Sequence, residues 1–259
     1  VPAVLIGTRV WRPDTGNFDT ELGPVFGNFL LADEINRAPA KVQSALLESM
    51  QERQVTIGGE TFLLPKPFLV LATQNPIESE GTYPLPDAQV DRFLMKIIVD
   101  YPSTGEEAAI VGRSLSPEVD VRELLSLEQL EQFTELVEDV LVDRDVIAYA
   151  VAIADATRHP ERYGLRDMGR MIEYGASPRG PIGLVQAARA LALLRGRGYV
   201  AATDISDLAA DVLRHRIVLT YDALSEGVTS DDVLTKVLAA VPPPQAPPAS
   251  VSGGRRRGN

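Results

Sequence analysis

The chain has 259 residues, 45% hydrophobic and 24% charged, with a formal net charge of -11; it is long enough for one large or two modest domains with cores of their own, and too acidic for broad capture of a nucleic-acid backbone, which needs a basic surface. With no cysteine and only His159 and His215 as histidines, disulfides and thiolate chemistry are excluded, and any metal is expected to be a hard, oxygen-bound ion. No run approaches the roughly 18 uninterrupted apolar residues of a membrane span, and the start lacks a signal-peptide pattern, so a cytoplasmic protein with no membrane span is the expectation.

In chain order, the first expected feature is a hairpin, residues 8–11 against 17–20 around Pro13-Asp14-Thr15-Gly16. Three apolar runs follow as candidate buried strands, at 29–32, 68–72 and 93–99; continuous runs of this kind imply a parallel sheet covered on both faces. Between the first two, 39–52 reads as a helix, with Val42, Leu46 and Met50 on one face and Pro39 in the first turn, where its missing N–H does no harm. A second hairpin pairs 54–57 with 61–64 across Gly58-Gly59, which tolerate the positive φ of a tight turn. The character changes near 103–120. Beyond it, helices are expected at 126–138, 143–158, 181–195 and 203–215, with Thr203 as an N-cap. The resulting division is a partial α/β core at 1–102, a linker at 103–122, a helical domain at 123–241 and a disordered Pro/Gly/Arg tail at 242–259, whose Arg255-Arg256-Arg257 reads as solvated.

Two strand ends carry candidate chemistry. The run Phe29-Leu30-Leu31-Ala32 ends in Asp33-Glu34. In α/β domains ligands bind beyond the carboxyl ends of strands. There one carboxylate can hold the hydration shell of Mg²⁺ while the next orients or deprotonates a water. A strand ending in solvent-facing acids reads the same way. The 68–72 run ends in Thr73-Gln74-Asn75-Pro76, which puts the Asn75 amide either beside the same water or in an ordinary turn.

Taken together, Leu30-Leu31-Ala32-Asp33-Glu34-Ile35-Asn36-Arg37-Ala38, Ala72-Thr73-Gln74-Asn75-Pro76, Gly81-Thr82-Tyr83-Pro84-Leu85-Pro86 and Asp91-Arg92-Phe93 resemble the MoxR family of AAA+ ATPases, over about residues 7–222. The resemblance implies a parallel-sheet AAA+ core of P-loop NTPase type with inserted β-hairpins and a C-terminal all-α lid. It further implies ATP and Mg²⁺ as cofactors and hydrolysis coupled to chaperone-like remodelling or activation of partner protein complexes. By it Asp33 and Glu34 are the Walker B pair, Asn75 is sensor 1, Arg92 is the arginine finger given to a neighbouring subunit, and Arg179, in Gly175-Ala176-Ser177-Pro178-Arg179, is sensor 2. A homo-oligomeric ring, usually of six, and a partner with a von Willebrand factor A domain are implied as well. An arginine finger supplied in trans contributes on the order of 10³ to 10⁵ in rate.

The sequence departs from the family in one respect: it contains no Gly-x-x-x-x-Gly-Lys-Ser/Thr phosphate-binding loop. Since the chain opens on Val1, the expectation is a longer product with that loop upstream, and a chain that by itself binds ATP poorly or not at all. A non-catalytic interaction module and a magnesium chelatase ATPase-subunit-like protein are the alternatives. A DNA helicase lacks the basic stripe it would need.

Overall fold

A computed structural model describes residues 2–75, 82–117 and 120–244, in two compact units, Val1–Asp139 and Val140–Asn259. In the first unit, helix α1 (Pro2–Ile6) leads into the antiparallel hairpin β1 (Gly7–Arg12) and β2 (Asn17–Leu22), with Arg12 opposite Asn17 beside the turn. Strand β3 (Phe29–Ala32) and helix α2 (Ala40–Glu52) follow. The second hairpin pairs β4 (Gln54–Ile57) with β5 (Glu60–Leu63). Its two turn residues, Gly58 and Gly59, have φ of 59° and 89°, the left-handed pair that a two-residue hairpin with the right-handed strand twist requires. Strand β6 (Leu69–Ala72) then lies parallel to β3, Phe29 beside Leu69 and Ala32 beside Ala72.

The core of this unit forms where α2 crosses the sheet. Leu46 and Leu47, each 2% exposed, pack with Ile35 and Leu85 against Leu30, Val70 and Ala72. An adjoining cluster joins Val55, Leu64 and Phe68 to Val25. Each such side chain contributes about 1.5–3 kcal/mol on burial. Arg53 closes the helix: its backbone N–H reaches Ser49, and its guanidinium donates to the Phe68 carbonyl at 2.6 Å, tying the end of α2 to the entrance of β6.

Two expectations for the sheet require correction. Residues 93–99 form no strand: they lie in a turn and irregular chain, with Ile97, Ile98 and Val99 exposed. Among the described residues they join none of the paired strands, so no ladder of hydrogen bonds fixes them as extended chain. Nor is the sheet covered on both faces. Burial alternates along β3 and β6, so that Leu30, Ala32, Val70 and Ala72 face the core while Phe29, Leu31, Leu69 and Leu71 are exposed. Helix α2 covers one face, and among the described residues of this unit the other stays open.

The unit continues through a short α3 (Asp87–Val90), α4 (Thr104–Ser114) and α5 (Leu127–Glu138). Capping boxes start the last two, Ser103 with Glu106 and Ser126 with Gln129. Helix α4 lies within the stretch expected as a linker.

The second unit is built on α6 (Arg144–Arg158), α7 (Arg179–Leu194), α8 (Ala202–Leu213), α9 (Tyr221–Ser225) and α10 (Ser230–Ala240). Its core includes Ile153, Leu184, Ile205, Leu213 and Leu234, each at most 1% exposed. Ala150, Ala154, Ala188 and Ala209 are fully buried, and their small side chains let the helix axes approach closely. A short antiparallel pair, β7 (Ile172–Tyr174) and β8 (Val218–Leu219), is added to the expected helical lid. Thr203 is not an N-cap, since α8 starts a residue earlier, at Ala202. The Asp204 carboxylate reaches back to the Ala201 N–H at 2.8 Å and ends the preceding extended chain there. Of the tail expected at 242–259, residues 245–259 lie outside the described residues.

Candidate functional site

Because β3 and β6 are parallel neighbours in register, Asp33-Glu34 and Thr73-Gln74-Asn75 leave the sheet at the same end. Glu34 has φ 49° and ψ 53°, a left-handed conformation uncommon for a residue with a Cβ. It turns the chain into a single 3-10 turn, Ile35–Arg37. Neighbours hold this bend from three sides. From β6, the Thr73 hydroxyl accepts the Glu34 N–H at 2.8 Å and donates to Asp33 Oδ1 at 2.5 Å, while the Thr73 carbonyl accepts the Ile35 N–H at 2.9 Å. From α2, the buried Gln43 amide donates to the carbonyls of Ile35, at 3.0 Å, and Tyr83, at 2.9 Å. From the 82–86 loop, the Tyr83 N–H donates to the Asn36 carbonyl at 2.6 Å.

Asp33 is exposed and Glu34 half-buried. Arg37 reaches the Glu34 carboxylate at 3.1 Å, an exposed pair one helical turn apart that is readily exchanged for another partner. Asn75 is half-buried on the adjacent strand exit, its carbonyl 3.5 Å from the Asn36 side-chain nitrogen. Asp33, Glu34 and Asn75 are thus brought to one edge, while Pro76 and Gly81 of the quoted motifs lie outside the described residues.

Arg92 stands apart from these three. It is exposed in the turn after α3 and lines a groove of about 320 Å³ with Ser44, Leu47, Glu48, Gln51, Glu52 and Gln89, none of which belongs to the strand-end cluster. Among the described residues its guanidinium makes no hydrogen bond or ion pair, although the carboxylates of Glu48 and Glu52 line the same groove.

Arg179 belongs to the second unit, as the first residue of α7; the helix begins there and not near Pro181 as expected. Its approach is tightly built. The buried Thr157 hydroxyl donates to the Ala154 carbonyl at 2.7 Å and accepts the Ala176 N–H at 2.9 Å. At Gly175 an added Cβ would stand 2.5 Å from the Thr157 carbonyl oxygen, so only glycine lets the segment lie against the end of α6. The Ser177 hydroxyl then accepts the Arg179 N–H at 3.2 Å.

Comparison with known proteins sets this geometry in a family. Residues 1–95 match the model of the ATPase family associated with various cellular activities (AAA), and residues 167–237 match the AAA lid domain. The chain is 54% identical to Chaperone MoxR1 of Mycobacterium tuberculosis over 95% of its own length and 65% of that protein's. It is 33% identical to Protein MoxR of Paracoccus denitrificans, covering 83% of this chain and 67% of that one. The crystal structure of a candidate ATPase from Cytophaga hutchinsonii superposes with a TM-score of 0.88 at 44% identity, over 95% of this chain and 75% of the other. The chain belongs to the MoxR family of AAA ATPases. It spans about two thirds of the length of the MoxR relatives named here.

Within a MoxR-family chain, the strand-end cluster has the donor chemistry of a magnesium–nucleotide site. Among the described residues no group of three or more His, Cys, Asp or Glu could cage a metal. What the site offers instead is the exposed Asp33 carboxylate with a hydroxyl beside it, and Mg²⁺ is commonly held in this way, by one or two carboxylates with its remaining positions filled by water and substrate phosphates. No helix among the described residues is long and apolar enough to cross a membrane.

Sequence reasoning missed Thr73, Gln43 and Thr157 as structural parts of these sites. Gln43 carried a legible signal, a polar residue in line with Leu47 and Met50 on the buried stripe of α2. Thr157 carried none, since a threonine in the last turn of a helix is unremarkable by itself.

Proposed function

We propose that the protein hydrolyses ATP at the carboxyl ends of β3 and β6 and couples hydrolysis to chaperone-like remodelling or activation of partner protein complexes. In this reading Asp33 holds the Mg²⁺ hydration shell and Glu34 orients or deprotonates the attacking water. Asn75 positions that water or senses the γ-phosphate, and Arg179 serves as the lid's phosphate sensor. Bound Mg²⁺ supplies neutralisation of phosphate charge. The reading rests above all on the shared edge at which two carboxylates and an amide leave adjacent parallel strands. The relatives named MoxR, one of them named a chaperone, support it.

Arg92, exposed in its groove, is the finger offered to a neighbouring copy. A group donated in one direction fits a head-to-tail ring, of six subunits in this proposal. A protein with a von Willebrand factor A domain is the proposed partner, and the cytoplasm the proposed location. Because this sequence contains no phosphate-binding loop, the 259-residue chain by itself is expected to bind Mg-ATP poorly or not at all.

The test is Glu34→Gln in the intact protein. It should leave Mg-ATP binding within a few-fold of wild type and reduce hydrolysis by about 10² or more. Unchanged hydrolysis would remove Glu34 from the role, and tight Mg-ATP binding by the isolated chain would overturn the statement about the chain alone.

A further inference from the structure

We infer that Thr73 is the positioning residue of the hydrolytic site: through one hydroxyl it sets the orientation of the Asp33 carboxylate and the backbone bend that presents Glu34. The inference rests on the proposed roles of Asp33 and Glu34. Thr73 makes four hydrogen bonds to the four consecutive residues 32–35. Its N–H donates to the Ala32 carbonyl at 3.1 Å and its carbonyl accepts from Ile35 at 2.9 Å. Its hydroxyl accepts from the Glu34 N–H at 2.8 Å and donates to Asp33 Oδ1 at 2.5 Å.

The two backbone bonds are those any residue could make as the parallel ladder runs out. The two hydroxyl bonds need a side chain that is donor and acceptor at once. A hydroxyl has one proton, and here the carboxylate takes it, so the oxygen lone pair is left for the Glu34 amide. The order Glu34 N–H to Thr73 O–H to Asp33 is therefore one-directional and joins both acids to a single atom. Glu34 needs such support, because its left-handed backbone is disfavoured for a residue with a Cβ and persists only where neighbours determine it. Without the hydroxyl the Glu34 amide loses its acceptor, the bend relaxes toward the extended region, and the two carboxylates no longer leave the strand at a set angle. Thr73 touches neither of the proposed reacting atoms and acts through the two acids.

Thr73→Ser keeps the hydroxyl; Thr73→Val keeps the shape and both backbone bonds but loses the hydroxyl; Thr73→Ala loses the hydroxyl and the γ-methyl together. In the intact protein, T73V and T73A should lower kcat for ATP by about tenfold or more, the scale of a hydrogen bond to a charged group. KM should stay within about threefold and T73S within about twofold of wild type on both constants. A second readout needs no turnover: amide exchange at Glu34 should be about tenfold faster in T73V and T73A than in wild type and T73S. Equal losses in T73S and T73V, an unchanged kcat in T73V, or equal exchange at Glu34 in all variants would each overturn the inference. If wild type hydrolyses no ATP, the proposed function fails and the positioning role for hydrolysis falls with it. Exchange at Glu34 then still reports whether the hydroxyl holds the bend, so the two failures are told apart. If T73V does not fold, T73A carries the comparison.

Discussion

Asp204→Ala should destabilise the protein by about 3 kcal/mol, a fall of roughly 10 °C in its melting midpoint. Asp204 is fully buried, and its carboxylate accepts four hydrogen bonds: from Arg197 at 2.6 and 2.8 Å, from Arg195 at 2.8 Å and from the Ala201 N–H at 2.8 Å. Summing these at ~1.5–3 kcal/mol each would overcount, because such terms share partners and are not additive. Arg195 keeps a second carboxylate, Asp207, at 2.8 Å, and its side chain is 42% exposed, so it recovers much of what it loses. What remains is the Arg197 charge, 24% exposed and left without its pair, together with the cap on α8. The first falls below the ~3–5 kcal/mol of a fully buried broken pair, and the cap adds about 1 kcal/mol. Burial alone would raise the carboxyl's pKa, but hydrogen bonds from Arg197, Ala201 and Arg195 outweigh it and hold the group below its ordinary value. Since the folded-state pKa is depressed, the stabilisation is complete above the unfolded value near ~3.9 and is lost as pH falls through the folded one. Thermal unfolding followed by circular dichroism from pH 7 to pH 3 tests both parts. A loss under about 3 °C at neutral pH, or an acid limb as steep in the variant as in wild type, would refute the reasoning.

Gly175→Ala should cost about 1–3 kcal/mol in thermal unfolding, because its Cβ meets backbone of Thr157 and Arg158 at 2.5–2.7 Å and neither can yield like a side chain; an unchanged midpoint would mean that the approach to Arg179 is loosely built. Gly58→Ala should cost about 1 kcal/mol through its positive φ. It should also displace Arg9, whose Cδ would lie 2.1 Å from the new Cβ and whose guanidinium stacks 5.2 Å from the Phe18 ring centroid. Trp11, the only tryptophan, packs edge-on against Phe18 at 5.1 Å, so its emission should shift, and an unchanged spectrum would count against that coupling.

Much of the fold was legible because local chemistry and tertiary structure agree. Gly58-Gly59 between short alternating runs specified the second hairpin, and the 29–32 and 68–72 runs became β3 and β6 almost to the residue. The 93–99 run has the same composition but pairs with no strand among the described residues, and composition alone does not reveal whether a ladder partner exists. Continuous apolarity likewise led to the expectation of a sheet covered on both faces, where the described residues of this unit cover one. At α8 a good capping residue, Thr203, lost to a carboxylate anchored by Arg195 and Arg197, at the end of α7 and in the connection that leads into α8.

The site was legible in part for the same reason. Asp33, Glu34 and Asn75 are marked by their place after apolar runs, and parallel pairing brings those places to one edge. The dependence of Glu34 on Thr73 is a contact between residues 39 apart, and the groove that joins Arg92 to Glu48 and Glu52 spans about 40 residues; neither leaves a periodic trace in the sequence.

The division of labour between Glu34 and Arg92 is tested most directly by mixing two inactive variants. Glu34→Gln and Arg92→Ala should each lower ATP hydrolysis by the intact protein by about 10² or more when alone. Mixed in equal amounts and allowed to exchange subunits, they should regain turnover, because roughly a quarter of the interfaces in a randomly assembled ring then pair an intact Glu34 with an intact Arg92 from the neighbour. A mixture as inactive as its two components, under conditions where exchange is demonstrated, would contradict an arginine supplied across a subunit boundary to a site built on Asp33, Glu34 and Asn75.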